Sequence, residues 1–162
     1  MTRSDHAMRL AAAVILALLL GSVTAAAQQA NAPPAPTAAQ KAHRLVLQVN
    51  ANDAAMMNLA LNNAINVEQY YKAAGEKVEI EVVAFGPGLH MLRDDTSPVK
   101  ERIKTIADKM PSIAFKACGN TQENMGKAEN KAIPLLAQAS LVKSGVVRLM
   151  ELQEQGWTYI RP

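Results

Sequence analysis

From His43 onward, short apolar runs alternate with segments of helical period, and this alternation limits the fold more than any other feature of the chain. Arg44-Leu45-Val46-Leu47-Gln48-Val49-Asn50 is mostly apolar and ends in polar residues, the pattern of a central parallel strand. Asn52 or Asp53 can cap the helix that follows. In it Met57, Ala60, Leu61, Ala64, Val67 and Tyr71 share one face, with Asn58, Asn62, Asn66, Gln69 and Lys72 on the other, and Gly75 ends it. Val78, Ile80 and Val82 then alternate with Glu79 and Glu81, which predicts a half-exposed strand at the edge of the sheet. A loop from Phe85 to Leu92 with two glycines follows. Ser97 as cap and Pro98 at the first position open a helix that turns Val99, Ile103, Ile106 and Met110 inward, and Pro111 stops it.

Ile113, Phe115 and Ala117 alternate as a third strand, and Asn120 to about Lys131 reads as a polar helix. Ala137 to Val142 is a fourth strand, Val146 to Gln153 a helix ended by Gly156, and Trp157 to Ile160 a short last strand. Five strands with intervening helices in about 120 residues imply a three-layer α/β/α sandwich around a mostly parallel sheet. The charged second strand suits the flavodoxin-like order 2-1-3-4-5, whose ligands sit beyond the carboxyl ends of the strands, between the first and third. Asn50, Asn52, Phe85 to Gly88, Cys118 to Thr121 and Ser144-Gly145 would gather there.

What precedes the domain has a different character. Residues 1–27 have the parts of a signal peptide: Arg3 and Arg9, the apolar run Leu10 to Leu20, and Ala25-Ala26-Ala27 as a cleavage site. Gly21 and Ser22 interrupt the run before the ~20 apolar residues a membrane span needs, so the expectation is export to the periplasm with no membrane anchor after cleavage. Residues 28–42, rich in Ala, Pro and Gln, hold no large apolar side chain and read as a flexible leader to a single domain over 43–162. The net charge of +3 falls by one when Arg3, Arg9 and Asp5 leave, and Lys and Arg are interleaved with Glu and Asp rather than gathered in a stripe. That pattern sets nucleic acid aside as a partner.

Cys118 is the single cysteine, so no internal disulfide can form, and an exposed thiol in an oxidising compartment must be buried, paired between chains or used. It stands where the apolar Ile113 to Ala117 gives way to Gly119, Asn120 and Thr121, a turn into a helix. A sulfur there lies beside backbone N–H groups at the positive end of the helix, which favours thiolate. Its competing role is a small buried hydrophobe. His90 is a candidate proton donor or acceptor, although nothing in the sequence fixes its distance from Cys118. Copper held by Cys118, Met56, Met57, His90 and Met91 is disfavoured, since Met57, Met110 and Met150 fall at helical core spacing. The histidines and the cysteine are too widely spaced for zinc, and no glycine loop cradles a phosphate, so neither metal nor cofactor is expected.

Asn50-Ala51-Asn52-Asp53, Phe85-Gly86-Pro87-Gly88, Phe115-Lys116-Ala117-Cys118-Gly119-Asn120-Thr121, Ser144-Gly145-Val146 and the ending Leu152 to Ile160 together resemble the DsrE/DsrF-like family, especially its small YchN-like single-domain members. The likeness runs from His43 to Pro162, and Ala117 to Thr121 is its most specific part. It implies an α/β/α fold, assembly as a homotrimer or homohexamer, and sulfur relay with persulfide carried on Cys118, a sulfurtransferase-like role served by a sulfur donor and acceptor. Gly119, Asn120, Thr121, Asn50, Gly86 and His90 are then the candidate substrate or anion-binding residues. The alternative is a non-catalytic oligomeric small-ligand-binding or assembly module with a structural cysteine. The chain departs from the best understood sulfur-relay members in its export signal, because those are cytoplasmic.

Overall fold

The computed structural model describes residues 42–162; the signal sequence and all but the last residue of the leader lie outside them. Five strands form one sheet: β1 (His43–Val49), β2 (Val78–Ala84), β3 (Ile113–Cys118), β4 (Ala139–Val142) and β5 (Thr158–Ile160). All four neighbouring pairs are parallel, as the apolar runs require. Four helices connect them: α1 (Ala54–Ala73), α2 (Lys100–Lys109), α3 (Gly119–Glu129) and α4 (Gly145–Glu154). Asp53 caps α1, its carboxylate accepting from the N–H groups of Ala55 at 2.7 Å and Met56 at 3.2 Å.

The strand order is β4-β3-β2-β1-β5, which corrects the expected 2-1-3-4-5. β2 is central, between β1 and β3, and not at an edge. Its alternating glutamates suggested a solvated face, but Glu81 is buried under α4. There Arg148 answers it with two hydrogen bonds, Nε to Oε2 at 2.9 Å and Nη2 to Oε1 at 2.6 Å. A charge can sit inside a sheet when a guanidinium meets it in this paired geometry.

The order also fixes which face each helix covers. β1 to β4 step one strand at a time toward one edge, so right-handed crossovers place α1, α2 and α3 on one face. The return from β4 to β5 runs the other way and places α4 opposite. The main core follows: Leu45, Leu47 and Val49 of β1, Ile80 and Val82 of β2, and Ile113, Phe115 and Ala117 of β3 pack against Met57, Leu61, Ile103 and Ile106. On the far face Val46 and Val83 meet only Leu149 and Leu152, with Phe85 and Trp157 at the side.

The segment read as a loop is a 3-10 helix, Gly86–Leu92, whose Leu89, Met91 and Leu92 are buried in the main core. Ser97 does not cap α2, which starts at Lys100. Its hydroxyl donates to the Met91 carbonyl at 2.6 Å and accepts from the Val99 N–H at 3.3 Å, tying the 3-10 helix to the approach to α2. Met150, placed in the core by its spacing, is largely exposed on α4. α3 buries no residue, as its polar sequence indicates.

Candidate functional site

Alternation along β3 decides where the sulfur points. Ile113, Phe115 and Ala117 face the main core, so Cys118, the last residue of the strand, faces the α4 side. Cys118 is also the N-cap of α3, with extended backbone angles of φ −74° and ψ 116°. Its thiol is free and forms no disulfide. Val142 of β4 is its strand partner, and the first turn of α4 lies beyond. Gly145 makes this approach feasible: a Cβ there would stand 2.9 Å from Phe85 Cβ and Cδ1, closer than side chains tolerate. The N-termini of α3 and α4 thus converge on one sulfur atom.

The groups around that atom act in opposite directions. Burial pushes the Cys118 thiol up, while the Thr121 hydroxyl and the backbone N–H groups of Gly145, Thr121 and Asn120 pull it down and prevail, so it titrates below its ordinary value. The Asn120 N–H also donates to the Lys143 carbonyl at 3.1 Å, joining the start of α3 to the loop before α4. Thr121 Oγ1 accepts from the Gly86 N–H at 3.0 Å. Gly86 has φ +53°, a left-handed conformation suited to glycine, and its N–H reaches α3 from the turn after β2. Cys118 itself is only 4 % exposed.

Two grooves are lined by neighbours of Cys118, although Cys118 itself lines neither. One, of about 600 Å³, is lined by Asn120, Val142, Lys143 and Ser144, with Val147, Arg148 and Glu151 of α4. The other, of about 430 Å³, lies on the far side of Thr121 and is lined by Asn52, Gly86, Pro87, His90, Asn124 and Met125. Thr121 and Gly86 therefore stand between the sulfur and the second groove. His90 belongs to that groove, its Nδ1 2.8 Å from Thr96 Oγ1. Asn50 follows β1, and β2 separates that strand from β3, so it lies roughly two strand spacings, about 10 Å, from the end that carries Cys118.

Local pattern gave no sign of the ion cluster beside Met125 of α3. Arg93, 1 % exposed, follows the 3-10 helix and donates to Asp95 at 2.9 and 2.8 Å and to Glu129 of α3 at 2.5 and 2.9 Å. Hydrogen bonds from Arg93 hold the Asp95 carboxyl well below the usual carboxylate range and Glu129 at about 2. Lys131 reaches both carboxylates, at 3.1 and 3.3 Å, and its own pKa is raised by Asp95 and Glu129. A lone arginine beside two aspartates carries no period that would reveal this; only the fold brings Glu129 to it. The Glu81–Arg148 pair was hidden in the same way, since a glutamate alternating with Ile80 and Val82 reads as a solvated face until α4 brings Arg148 over it. Among the described residues, no three His, Cys, Asp or Glu side chains lie together in a way that could hold a metal ion.

The model of the DsrE/DsrF-like family matches residues 25–162. Among solved structures, MTH1491 of Methanobacterium thermoautotrophicum, a protein of unknown function, is 32 % identical. The match covers 74 % of this chain and 99 % of that one, with a TM-score of 0.62. No curated protein matches the chain.

Proposed function

Since the chain belongs to the DsrE/DsrF-like family, we propose that it carries sulfane sulfur as a persulfide on Cys118, in the periplasm and as a homo-oligomer. The observation that carries this reading is the position of the only cysteine, between the N-termini of α3 and α4 at the carboxyl edge of the sheet. In the loading step the Cys118 thiolate attacks the outer sulfur of a persulfide or polysulfide. A Sγ–S bond forms, the donor's S–S bond breaks, and its electron pair leaves on the donor as thiolate. In the unloading step an acceptor thiolate attacks the outer sulfur and Cys118 leaves as thiolate, so no external oxidant or reductant is consumed. The Thr121 hydroxyl and the Gly145 N–H favour the Cys118 thiolate that attacks in loading and leaves in unloading. The signal-like sequence through Ala27 supports export.

A second reading has its own support, because Cys118 is almost wholly buried while Val146, Val147 and Met150 of α4 are exposed. In it the protein is a non-catalytic assembly module and the thiol is packing. Intact mass after incubation with polysulfide separates the two. The carrier reading expects one or more added sulfur atoms, removed by dithiothreitol and absent from Cys118→Ser. An unmodified wild type whose native thiol resists alkylation leaves the assembly reading. The same spectrum, taken on protein isolated from cells, shows whether residues 1–27 have been removed.

A further inference from the structure

The end of the sheet opposite Cys118 holds two buried polar atoms, a carboxylate oxygen and a hydroxyl, that no described residue satisfies. Glu68 lies on the inward side of α1, seven residues after Leu61, with only 9 % of its side chain exposed. Its Oε2 has no hydrogen-bond partner, and neither has the buried Oγ of Ser112, the residue before β3. Both side chains line one cavity of about 340 Å³. Leaving such atoms without a donor is costly, so they mark a place where one is missing. Lys72 does not supply it, since its Nζ stands 3.9 Å from Glu68 Oε1, beyond hydrogen-bond reach.

The chemistry of the walls narrows what can fill the cavity. Of the other glutamates in the wall, Glu76 is already paired with His43 Nε2 and Glu79 falls on the face of β2 that carries Glu81, so Glu68 supplies the carboxylate still open to a donor. A divalent metal ion needs six or more oxygens, and among the described residues no cluster of three ligating side chains is present. A primary ammonium group needs only a few acceptors for its three N–H donors. Val78, also in the wall, offers apolar surface to a short methylene chain.

We propose that this cavity binds a small primary alkylammonium ion, which donates to Glu68 Oε2 and Ser112 Oγ. The site is independent of Cys118, which lies at the other end of β3.

Titration of the purified protein with putrescine, followed by amide NMR shifts and melting temperature, tests the proposal. Saturable shifts around Glu68, Val78 and Ser112 are expected, with a rise in melting temperature that the matching neutral diol does not produce. Glu68→Gln should weaken binding at least about tenfold, the loss of one charged hydrogen bond. It should not lower the melting temperature of the free protein, because the carboxylate it neutralises is buried and makes no hydrogen bond through Oε2. Ser112→Ala should weaken binding severalfold, and it decides the matter if Glu68→Gln does not fold. No saturable response at millimolar putrescine, an equal response to the diol, binding unchanged in both variants, or saturation by Ca²⁺ instead of the amine would each overturn the proposal.

Discussion

The Thr121 hydroxyl has a single proton to give, and its oxygen already accepts from the Gly86 N–H at 3.0 Å. That leaves its O–H free for the Cys118 sulfur, where it is the strongest of the groups that lower the thiol's pKa. Thr121→Val keeps the shape and removes the donor, so the pH profile of Cys118 alkylation should move upward. Alkylation near neutral pH should slow by about tenfold, the usual scale of a hydrogen bond to a charged group. Thr121→Ser should restore the wild-type profile; an unmoved profile in the valine variant would show that the hydroxyl does not touch the thiolate. The linkage sign follows from the lowered pKa. Thiolate contributes stability above the unfolded thiol's pKa, which is lost as pH falls through the folded value, and the valine variant loses part of it. Cys118, Gly119, Asn120 and Thr121 were legible in the sequence because they are contiguous and the strand-to-helix junction is a local pattern. The role of Gly145 was only partly legible: its turn could be assigned to the same rim, but its approach to Phe85 and the sulfur depends on packing between distant segments.

Secondary elements were easier to read than their neighbours in the sheet. Apolar runs and helix periods gave all five strands and four helices, because those signals are local. Strand order was misread because an alternating charge looks the same whether water or an arginine from α4 receives it. The 3-10 helix was missed because Gly86, Pro87 and Gly88 signal a turn, while the burial of Leu89, Met91 and Leu92 is decided by the elements around them. If Arg148 is what permits Glu81 in a central strand, Arg148→Leu should destabilise the fold by about 3 kcal/mol, since it leaves a buried carboxylate unpaired. Pairing it with Glu81→Leu should recover most of that loss, because an apolar pair can replace a buried ion pair at little cost. Urea denaturation of the two variants checks this. A double variant no more stable than the single one would mean that the pair is not what holds β2 in place.

At the scale of the whole domain, the two faces of the sheet are unequally covered: α1, α2 and α3 pack on one and α4 alone on the other. The outer side of α4 is also apolar, with Val146, Val147 and Met150 each about half exposed, and Tyr159 is exposed on the same side of the sheet. The three positions lie within a turn of one another and form a continuous patch. If the protein assembles as proposed, this is the surface where a second copy would bury apolar area, and α4 would become an internal layer. Val147 also lines the groove beside Asn120, Lys143 and Ser144, so assembly there would narrow the groove next to Cys118. Val147→Glu with Met150→Glu should then convert the oligomer to monomer in sedimentation velocity. Stability of the isolated fold should change by no more than about 0.5 kcal/mol, since both side chains are exposed in the single chain. Alkylation of Cys118 should also become faster in the monomeric variant, as the first groove is freed. A wild type that sediments as a monomer at all concentrations, or an oligomer indifferent to both charges, would remove α4 from any interface.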